Sequence, residues 1–159
     1  MTNETDVKWM RRALEVASRA ERLSPPNPAV GALIVRDDRL LAQGFTQRAG
    51  GPHAEVMALR DAFEKGVDTE GATLYVTLEP CPMCSGAIIN SRLKRVVYGA
   101  RDPKAGCCGS VTDLFAMPFN HHPVVEQGLR AEEAQELLQV FFKDLRARLA
   151  ARPKWKPPV

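Results

Sequence analysis

The sequence predicts an α/β domain of three layers, in which helices cover both faces of a central five-stranded mixed sheet. The first observation is the order of its patterns, which runs helix, two strands, helix, strand, helix, strand, strand, helix. Alternation of this kind is typical of layered α/β domains. The second is size, because 159 residues of which 45% are hydrophobic can bury one core. We expect a single domain over residues 1–151 and a loose, basic, proline-rich tail over residues 152–159.

The first half of the chain begins with an amphipathic helix and continues into a hairpin. Val7, Met10, Leu14 and Ala17 recur at helical spacing, and the helix should end before the rigid Pro25–Pro28 segment. A buried strand, a turn and a returning strand are then predicted over Val30–Val35, Arg36–Arg39 and Leu40–Phe45.

The second half alternates helices with strands. Gly66 is suited to end a helix and Pro82 to begin one. The predicted elements are a helix from His53, a central strand Ala72–Leu78, a helix from Pro82 to Leu93, strands Arg95–Gly99 and Val124–Val125, and a final helix from Ala131 to Leu145. Both motifs described next therefore lie at helix N-termini, where partial positive charge favours thiolates and so helps metal binding.

Two short motifs carry the residue types of a catalytic zinc site. His53 and Glu55 stand two residues apart, and Cys81 and Cys84 follow as a Cys-x-x-Cys pair. One histidine and two thiolates suit Zn²⁺ and leave its fourth position open for water, whose pKa then falls to about 7. Glu55 is not needed as a ligand, so its carboxylate can carry protons. This pattern is the known motif of zinc deaminases.

A structural zinc site or a redox pair would use the same two cysteines differently. A structural site needs a fourth protein ligand, for which Cys107, Cys108, His121 and His122 are the candidates. Adjacent cysteines do not easily bind one ion together, so we interpret Cys107 and Cys108 as small packing residues. A binding module of the same fold is disfavoured by the presence of Glu55, and a metal-free structural protein by the ligand set itself.

Longer motifs resemble a known group of enzymes. They are Tyr75–Ala87, Arg101–Gly106, Gly109–Ser110 and Asn120–His121. In these the chain resembles the cytidine deaminase-like superfamily, and within it the bacterial tRNA-specific adenosine deaminases. The resemblance implies the cytidine deaminase-like α/β/α fold, a homodimer, zinc ligation by His53, Cys81 and Cys84, and proton transfer by Glu55. It also implies adenosine in a tRNA anticodon loop as the substrate.

The front half departs from that resemblance. The tRNA deaminases tend to have Asn where Thr46 stands, and a longer loop before the histidine. The Thr46–His53 segment together with Asn27–Gly31 looks more like the pyrimidine deaminase of riboflavin synthesis. That family, however, usually carries a longer insert between its cysteines, and we expect no attached reductase domain. Deamination of a free purine or pyrimidine base, nucleoside or nucleotide, including the riboflavin precursor, is therefore the alternative function.

Residues around the motifs are predicted to contact the substrate. The amide of Asn27 can pair with a base edge or a ribose. Lys104 lies in a basic loop after a strand end, which is where open α/β sheets bind ligands. The predicted substrate-binding residues are Asn27, Thr46, Ala54, Pro80 and Lys104.

Charge and cysteine usage suggest the compartment and the partners. The net charge of +3 is uneven, because residues 143–159 alone carry +5. Such a run is usually a solvated surface, but it also suits contact with RNA phosphates. The apolar runs are too short to cross a bilayer, and Met1–Glu21 lacks a secretory core. We expect a cytoplasmic enzyme without a membrane partner, acting on tRNA or a small nucleobase-type substrate.

Overall fold

The computed structural model describes residues 4–127 and 130–151. In chain order its elements are α1 (Glu4–Ser18), β1 (Gly31–Arg36), β2 (Arg39–Phe45), α2 (Ala54–Glu64), β3 (Thr73–Leu78), α3 (Pro82–Asn90), β4 (Arg95–Ala100), a 3-10 turn (Leu114–Ala116), β5 (Val124–Gln127) and α4 (Ala131–Ala151). The predicted order is confirmed, and the 3-10 turn is an addition. The predicted tail over residues 152–159 lies outside the described residues.

The sheet is mixed, as predicted, and β3 is its central strand. The strand order is β2-β1-β3-β4-β5. β1 runs antiparallel to β2 and β3, whereas β3, β4 and β5 run parallel to one another. This arrangement brings four segments to the same end of the sheet. They are the residues before β1 and those that follow the carboxyl ends of β2, β3 and β4. The functional site is built at that end of the strands.

Helices cover both faces of the sheet. On one face, Met10 and Ala13 of α1 pack against Leu33 and Tyr75. α4 lies on the same face, because a Cβ atom placed on Gly99 would come within 2.9 Å of the Ala134 Cβ. On the other face, α2 and α3 bury their alanine and isoleucine side chains against the alternate residues of β1 and β3. No helix among the described residues combines the length and the apolar content needed to span a bilayer.

The strand β2 forms an outer edge of the sheet and lies directly under α2. A Cβ atom on Gly44 would come within 2.5 Å of the Ala58 nitrogen, so only glycine permits this approach. The Gln43 N–H donates to the Asp61 carboxylate at 3.1 Å, and Lys65 donates to the same carboxylate oxygen at 3.0 Å. At Gln43 the edge therefore presents a charged side chain rather than a free backbone donor.

A charged cluster joins α1 to the sheet at the end opposite the site. Arg95 begins β4 and donates to both carboxylate oxygens of Asp6, at 2.7 and 2.6 Å. It also donates to Glu126 of β5, at 3.1 and 2.7 Å. The Tyr75 hydroxyl donates to Asp6 at 2.5 Å, and Asp6 is only 1% exposed. One arginine thus links α1, β4 and β5.

Candidate metal centre and active site

The three predicted zinc ligands lie at the start of two helices. His53 is the N-cap of α2 and Cys81 the N-cap of α3, both with extended backbone, and Cys84 lies in the first turn of α3 behind Pro82. An N-cap side chain usually accepts a hydrogen bond from its own helix. Neither His53 nor Cys81 does so. Both side chains are therefore free to point toward each other.

The spacing of the donor atoms fits a tetrahedral ion. His53 Nδ1 lies 3.5 Å from Cys81 Sγ and 3.6 Å from Cys84 Sγ. Zn–S bonds of about 2.3 Å and Zn–N bonds of about 2.0–2.1 Å at a tetrahedral angle place sulfur and nitrogen about 3.5–3.6 Å apart. Among the described residues, these three have ligand atoms that all lie within 4.8 Å of one another and could hold one metal ion. They are placed to bind zinc, with one position left for water.

The electrostatics of the two thiols favour a metal ligand. The Cys84 thiol is hydrogen-bonded to Cys81, which lowers the pKa of Cys81 to about 5 and raises the pKa of Cys84. A thiolate at Cys81 is therefore favoured before any ion is bound. Glu55 lies beside them and is 4% exposed. Burial raises the pKa of its carboxyl to about 7.

A cavity of about 170 Å³ opens over these residues. Its lining includes Asn27, Pro28, Val30, Thr46, His53, Glu55, Leu78, Glu79, Cys81, Asp102 and Ala105. Of the predicted substrate residues, Asn27 and Thr46 lie in this wall. Ala54 and Pro80 are buried outside the lining, and Lys104 is exposed to solvent beyond it.

Thr46 and Asn27 differ in what they can offer a substrate. The Thr46 hydroxyl accepts a hydrogen bond from the Val30 N–H at 3.1 Å and lies 3.4 Å from the Val30 carbonyl oxygen. Its donor proton and one of its two acceptor sites are thus used to close the end of the hairpin. Asn27 is held through its backbone, by hydrogen bonds with Ser24. Asn27 belongs to the cavity lining, and an amide side chain can both donate to and accept from a base edge.

Sequence reasoning missed a buried carboxylate, Glu79, which is 2% exposed. It accepts hydrogen bonds from the backbone N–H groups of Asp102, Cys108 and Ser110 at 2.9, 3.0 and 3.1 Å, and from the Ser110 hydroxyl at 2.5 Å. Burial opposes its ionisation, but these hydrogen bonds hold its pKa below the usual value. The sequence offered one signal, which is the position of Glu79 between an apolar strand and the first zinc cysteine. A carboxylate buried at such a position needs hydrogen-bond donors from another segment of the chain.

The remaining cysteine and histidine candidates have structural contacts. The buried Cys107 donates its backbone N–H to Pro80, and its thiol donates to the Ala105 carbonyl at 3.5 Å. His121 bonds to the Leu93 carbonyl at 2.7 Å and His122 to the Phe115 carbonyl at 2.8 Å. All four cysteines are free thiols. None of these contacts brings a fourth protein ligand to the donor group, so the open position remains.

Comparison with known proteins gives consistent results. A family model described as the cytidine and deoxycytidylate deaminase zinc-binding region matches residues 3–100. The tRNA-specific adenosine deaminase of Bacillus subtilis is 39% identical over 157 residues, covering 94% of this chain and 96% of that protein. The riboflavin biosynthesis protein RibD of Aquifex aeolicus is 42% identical over 148 residues, covering 89% of this chain and 40% of that protein.

A solved structure agrees with the sequence matches. A chain from a study of A-to-I editing by tRNA:A34 deaminases superposes with a TM-score of 0.72 at 38% identity, covering 82% of this chain and 99% of that chain. The matched region 3–100 contains the histidine, the glutamate and both cysteines of the site. We conclude that the chain belongs to the cytidine and deoxycytidylate deaminase family and is a zinc-dependent hydrolase that acts on a C–N bond.

Proposed function

We propose that this enzyme converts adenosine to inosine in the anticodon loop of a tRNA. The observation that carries the proposal is the match to a tRNA-specific adenosine deaminase over nearly the whole length of both proteins. The short Cys81–Cys84 segment supports it, because both thiols fit within one helical turn without the insert expected in the riboflavin-synthesis deaminases.

The size of the cavity suits one base. At about 170 Å³ it is smaller than the roughly 300–1,000 Å³ of sites for drug-sized ligands. A single ring system would enter, and the ribose and phosphates would remain outside. Bases in single-stranded loops can be unstacked and inserted at a cost of only a few kcal/mol, so an anticodon loop meets this requirement.

The residues of the chain divide the reaction between them. His53, Cys81 and Cys84 hold the zinc, which when bound supplies an activated water for attack on the ring carbon that bears the amine. Glu55 takes one proton from the attacking water and passes it to the ring nitrogen. It then takes the remaining proton of the added hydroxyl group and delivers it to the amine, which leaves as ammonia. Asn27 holds the base edge through its amide, and the buried walls exclude bulk water.

Deamination of a free pyrimidine is the second candidate, and the front wall of the cavity favours it. Asn27 and Thr46 belong to the segments in which this chain resembles the riboflavin-synthesis deaminases. The bonding of the Thr46 hydroxyl to Val30 also leaves that position without a free donor, whereas the asparagine typical of the tRNA deaminases has an amide that can donate. The identity to the Aquifex aeolicus protein, 42%, is as high as that to the tRNA enzymes.

The experiment that decides between the two candidates offers the wild-type enzyme both kinds of substrate. One arm contains an anticodon stem-loop with adenosine at the first anticodon position. The other contains free aminated bases, nucleosides and the riboflavin precursor, and both arms are measured for ammonia and inosine. We expect rapid inosine formation in the stem-loop and little turnover of the free compounds. Rapid turnover of a free compound, with no reaction of the stem-loop, would contradict the tRNA substrate and support the second candidate.

We further propose that the enzyme works in the cytoplasm as a homodimer. Four free thiols suit a reducing compartment. Met83, between the two zinc cysteines, is 56% exposed, and Phe119, which follows the 3-10 turn packed against α3, is 46% exposed. A second copy of the chain would cover such apolar side chains. Light scattering on the purified protein should give a molecular mass twice that of one chain. In the Met83→Lys variant we expect the mass of a single chain.

A further inference from the structure

We infer that Glu79 is a positioning residue, which holds the wall of the substrate cavity formed by residues 102–110 against the strand that delivers the zinc cysteines. This inference deepens the proposed function, because it assumes that the cavity over the donor group receives the substrate. Glu79 is itself part of the cavity lining, but both oxygens of its carboxylate accept hydrogen bonds from the loop. It acts through Asp102 and Ala105, which the 102–110 loop contributes to the cavity lining.

The contacts of Glu79 span this loop from its start to its end. One oxygen, Oε2, accepts from the Asp102 N–H and from the Ser110 hydroxyl, and the other, Oε1, accepts from the Cys108 and Ser110 N–H groups. Four donors from three positions of one loop thus converge on one side chain. A carboxylate can satisfy all four at once, because each ionised oxygen accepts two hydrogen bonds.

The backbone of Glu79 fixes the carboxylate relative to the metal centre. Its N–H donates to the Ala100 carbonyl at 2.9 Å, which continues the pairing of β3 with β4. Two residues later the chain reaches Cys81, and between them the Pro80 carbonyl accepts from the Cys107 N–H at 2.9 Å. The loop is therefore bonded in two ways to the segment that carries the zinc cysteines. The Glu79 side chain makes most of these hydrogen bonds, and the Pro80 backbone carbonyl makes one more.

The absence of a side chain at Gly106 is the independent observation that supports this arrangement. A Cβ atom built there would overlap the Glu79 Oε2 atom, and it would come within 2.6 Å of the Asp102 carbonyl oxygen. The backbone of the loop therefore closes around the carboxylate at contact distance. A group that only capped a few free donors at the surface would not require this fit.

The test compares Glu79→Ala, Glu79→Gln and the control Glu126→Gln in the full-length zinc-loaded enzyme. Glu126 is a suitable control because it too is a partly buried carboxylate with several hydrogen bonds, at the opposite end of the sheet. The measurements are zinc content, hydrogen exchange of the Asp102, Cys108 and Ser110 amides, and kcat and KM separately. The exchange measurement reports on the loop whatever the substrate is.

We expect Glu79→Ala to keep its zinc, to lose protection at all three amides, and to lower kcat/KM about 10²-fold, mainly through KM, since misplaced contacts of about 1 Å have effects of this size. Glu79→Gln keeps one acceptor oxygen, so it should lie between the wild type and Glu79→Ala in both exchange and KM. Glu126→Gln should leave the loop amides and KM unchanged. Unchanged amide protection in Glu79→Ala would overturn the inference, as would a loss confined to kcat.

Gly106→Ala provides a second test in which Glu79 itself is intact. The added methyl group should displace the loop from the carboxylate, which would reproduce the faster exchange and the higher KM of the Glu79 variants. In a double variant with Glu79→Ala, the second change should add little, because both remove the same contact. Full additivity would contradict the inference. If the stem-loop is inert and a free base reacts, the proposed tRNA substrate fails, while the same variants measured on that base still test the role of Glu79.

Discussion

Two buried carboxylates at opposite ends of the central strands show how the same chemical group serves two purposes. Glu79 follows the carboxyl end of β3 and binds neutral donors from a loop. Asp6 lies near the amino end of β4 and binds the charged Arg95 together with the Tyr75 hydroxyl. The first arrangement shapes a cavity wall, whereas the second fastens a helix to the sheet.

The difference predicts that activity and stability can be separated by mutation. Backbone donors leave no charge uncompensated when their acceptor is removed, so loss of Glu79 should mainly disturb the loop. Loss of a partner in the Asp6 cluster leaves a charge buried and unpaired, which is more costly. Changes at the site end should therefore impair catalysis, and changes at the opposite end should lower the free energy of unfolding.

The largest effect should come from removing a zinc ligand. Cys84→Ala should lose the metal and all detectable deaminase activity, and it should unfold at a lower temperature, because the ion joins the first turns of α2 and α3. Elemental analysis and a melting curve measure both effects. Cys107→Ala is the matched control, since this buried thiol lies outside the donor group and should keep about one zinc per chain. A full complement of zinc in Cys84→Ala would refute the assignment of this ligand.

The next effect should be purely catalytic. Glu55→Gln preserves the shape of the side chain but cannot transfer the proton, so kcat should fall by about 10²- to 10⁴-fold while zinc content and melting temperature remain near those of the wild type. Glu64→Gln, at the exposed end of the same helix, should have wild-type kinetics. Steady-state ammonia release measures the difference. A wild-type rate in Glu55→Gln would exclude this residue from the reaction.

At the opposite end the effect should be on stability alone. Arg95→Met leaves the Asp6 carboxylate buried without its cation, and we expect the free energy of unfolding to fall by about 3 kcal/mol. Below the unfolding transition kcat should be unchanged. Lys8→Met is the control, because the Lys8–Asp38 pair is more than half exposed and should unfold at nearly the wild-type urea concentration. Equal losses in the two variants would contradict the contrast between buried and exposed pairs.

The smallest effect should depend on pH. The Arg95 guanidinium holds the pKa of Glu126 below its usual 4.5, so this pair stabilises the fold when Glu126 is ionised. The stability difference between wild type and Glu126→Gln should be complete at pH 7 and should vanish as the pH falls through the lowered pKa. We expect a difference of at most about 1 kcal/mol, since the pair is partly screened by solvent. Urea unfolding at several pH values measures it, and a difference that grows in acid would contradict this account.

The sequence predicted what depends on local pattern. Helical spacing and apolar runs identified the elements, and the His53 and Cys81–Cys84 motifs identified the donor group. It did not predict contacts that depend on how separate segments meet. Glu79 receives its donors from a loop more than twenty residues away, and Asp102 reaches the cavity only because β3 and β4 are parallel neighbours. Lys104 lies exposed outside the cavity lining, beside the turn formed at Asp102, so its contact with the substrate stays a prediction.

The side-chain acceptor at the edge of β2 has a consequence for the behaviour of the enzyme at high concentration. The outer edge of a sheet can recruit a strand from another molecule and so begin aggregation. Here the Gln43 N–H is already bonded to Asp61, and Lys65 adds a second charge at the same place. An incoming strand would have to displace an ion pair to gain one backbone hydrogen bond. At Gln43 this strand is thereby protected from intermolecular pairing by an ion pair, without any change in its length.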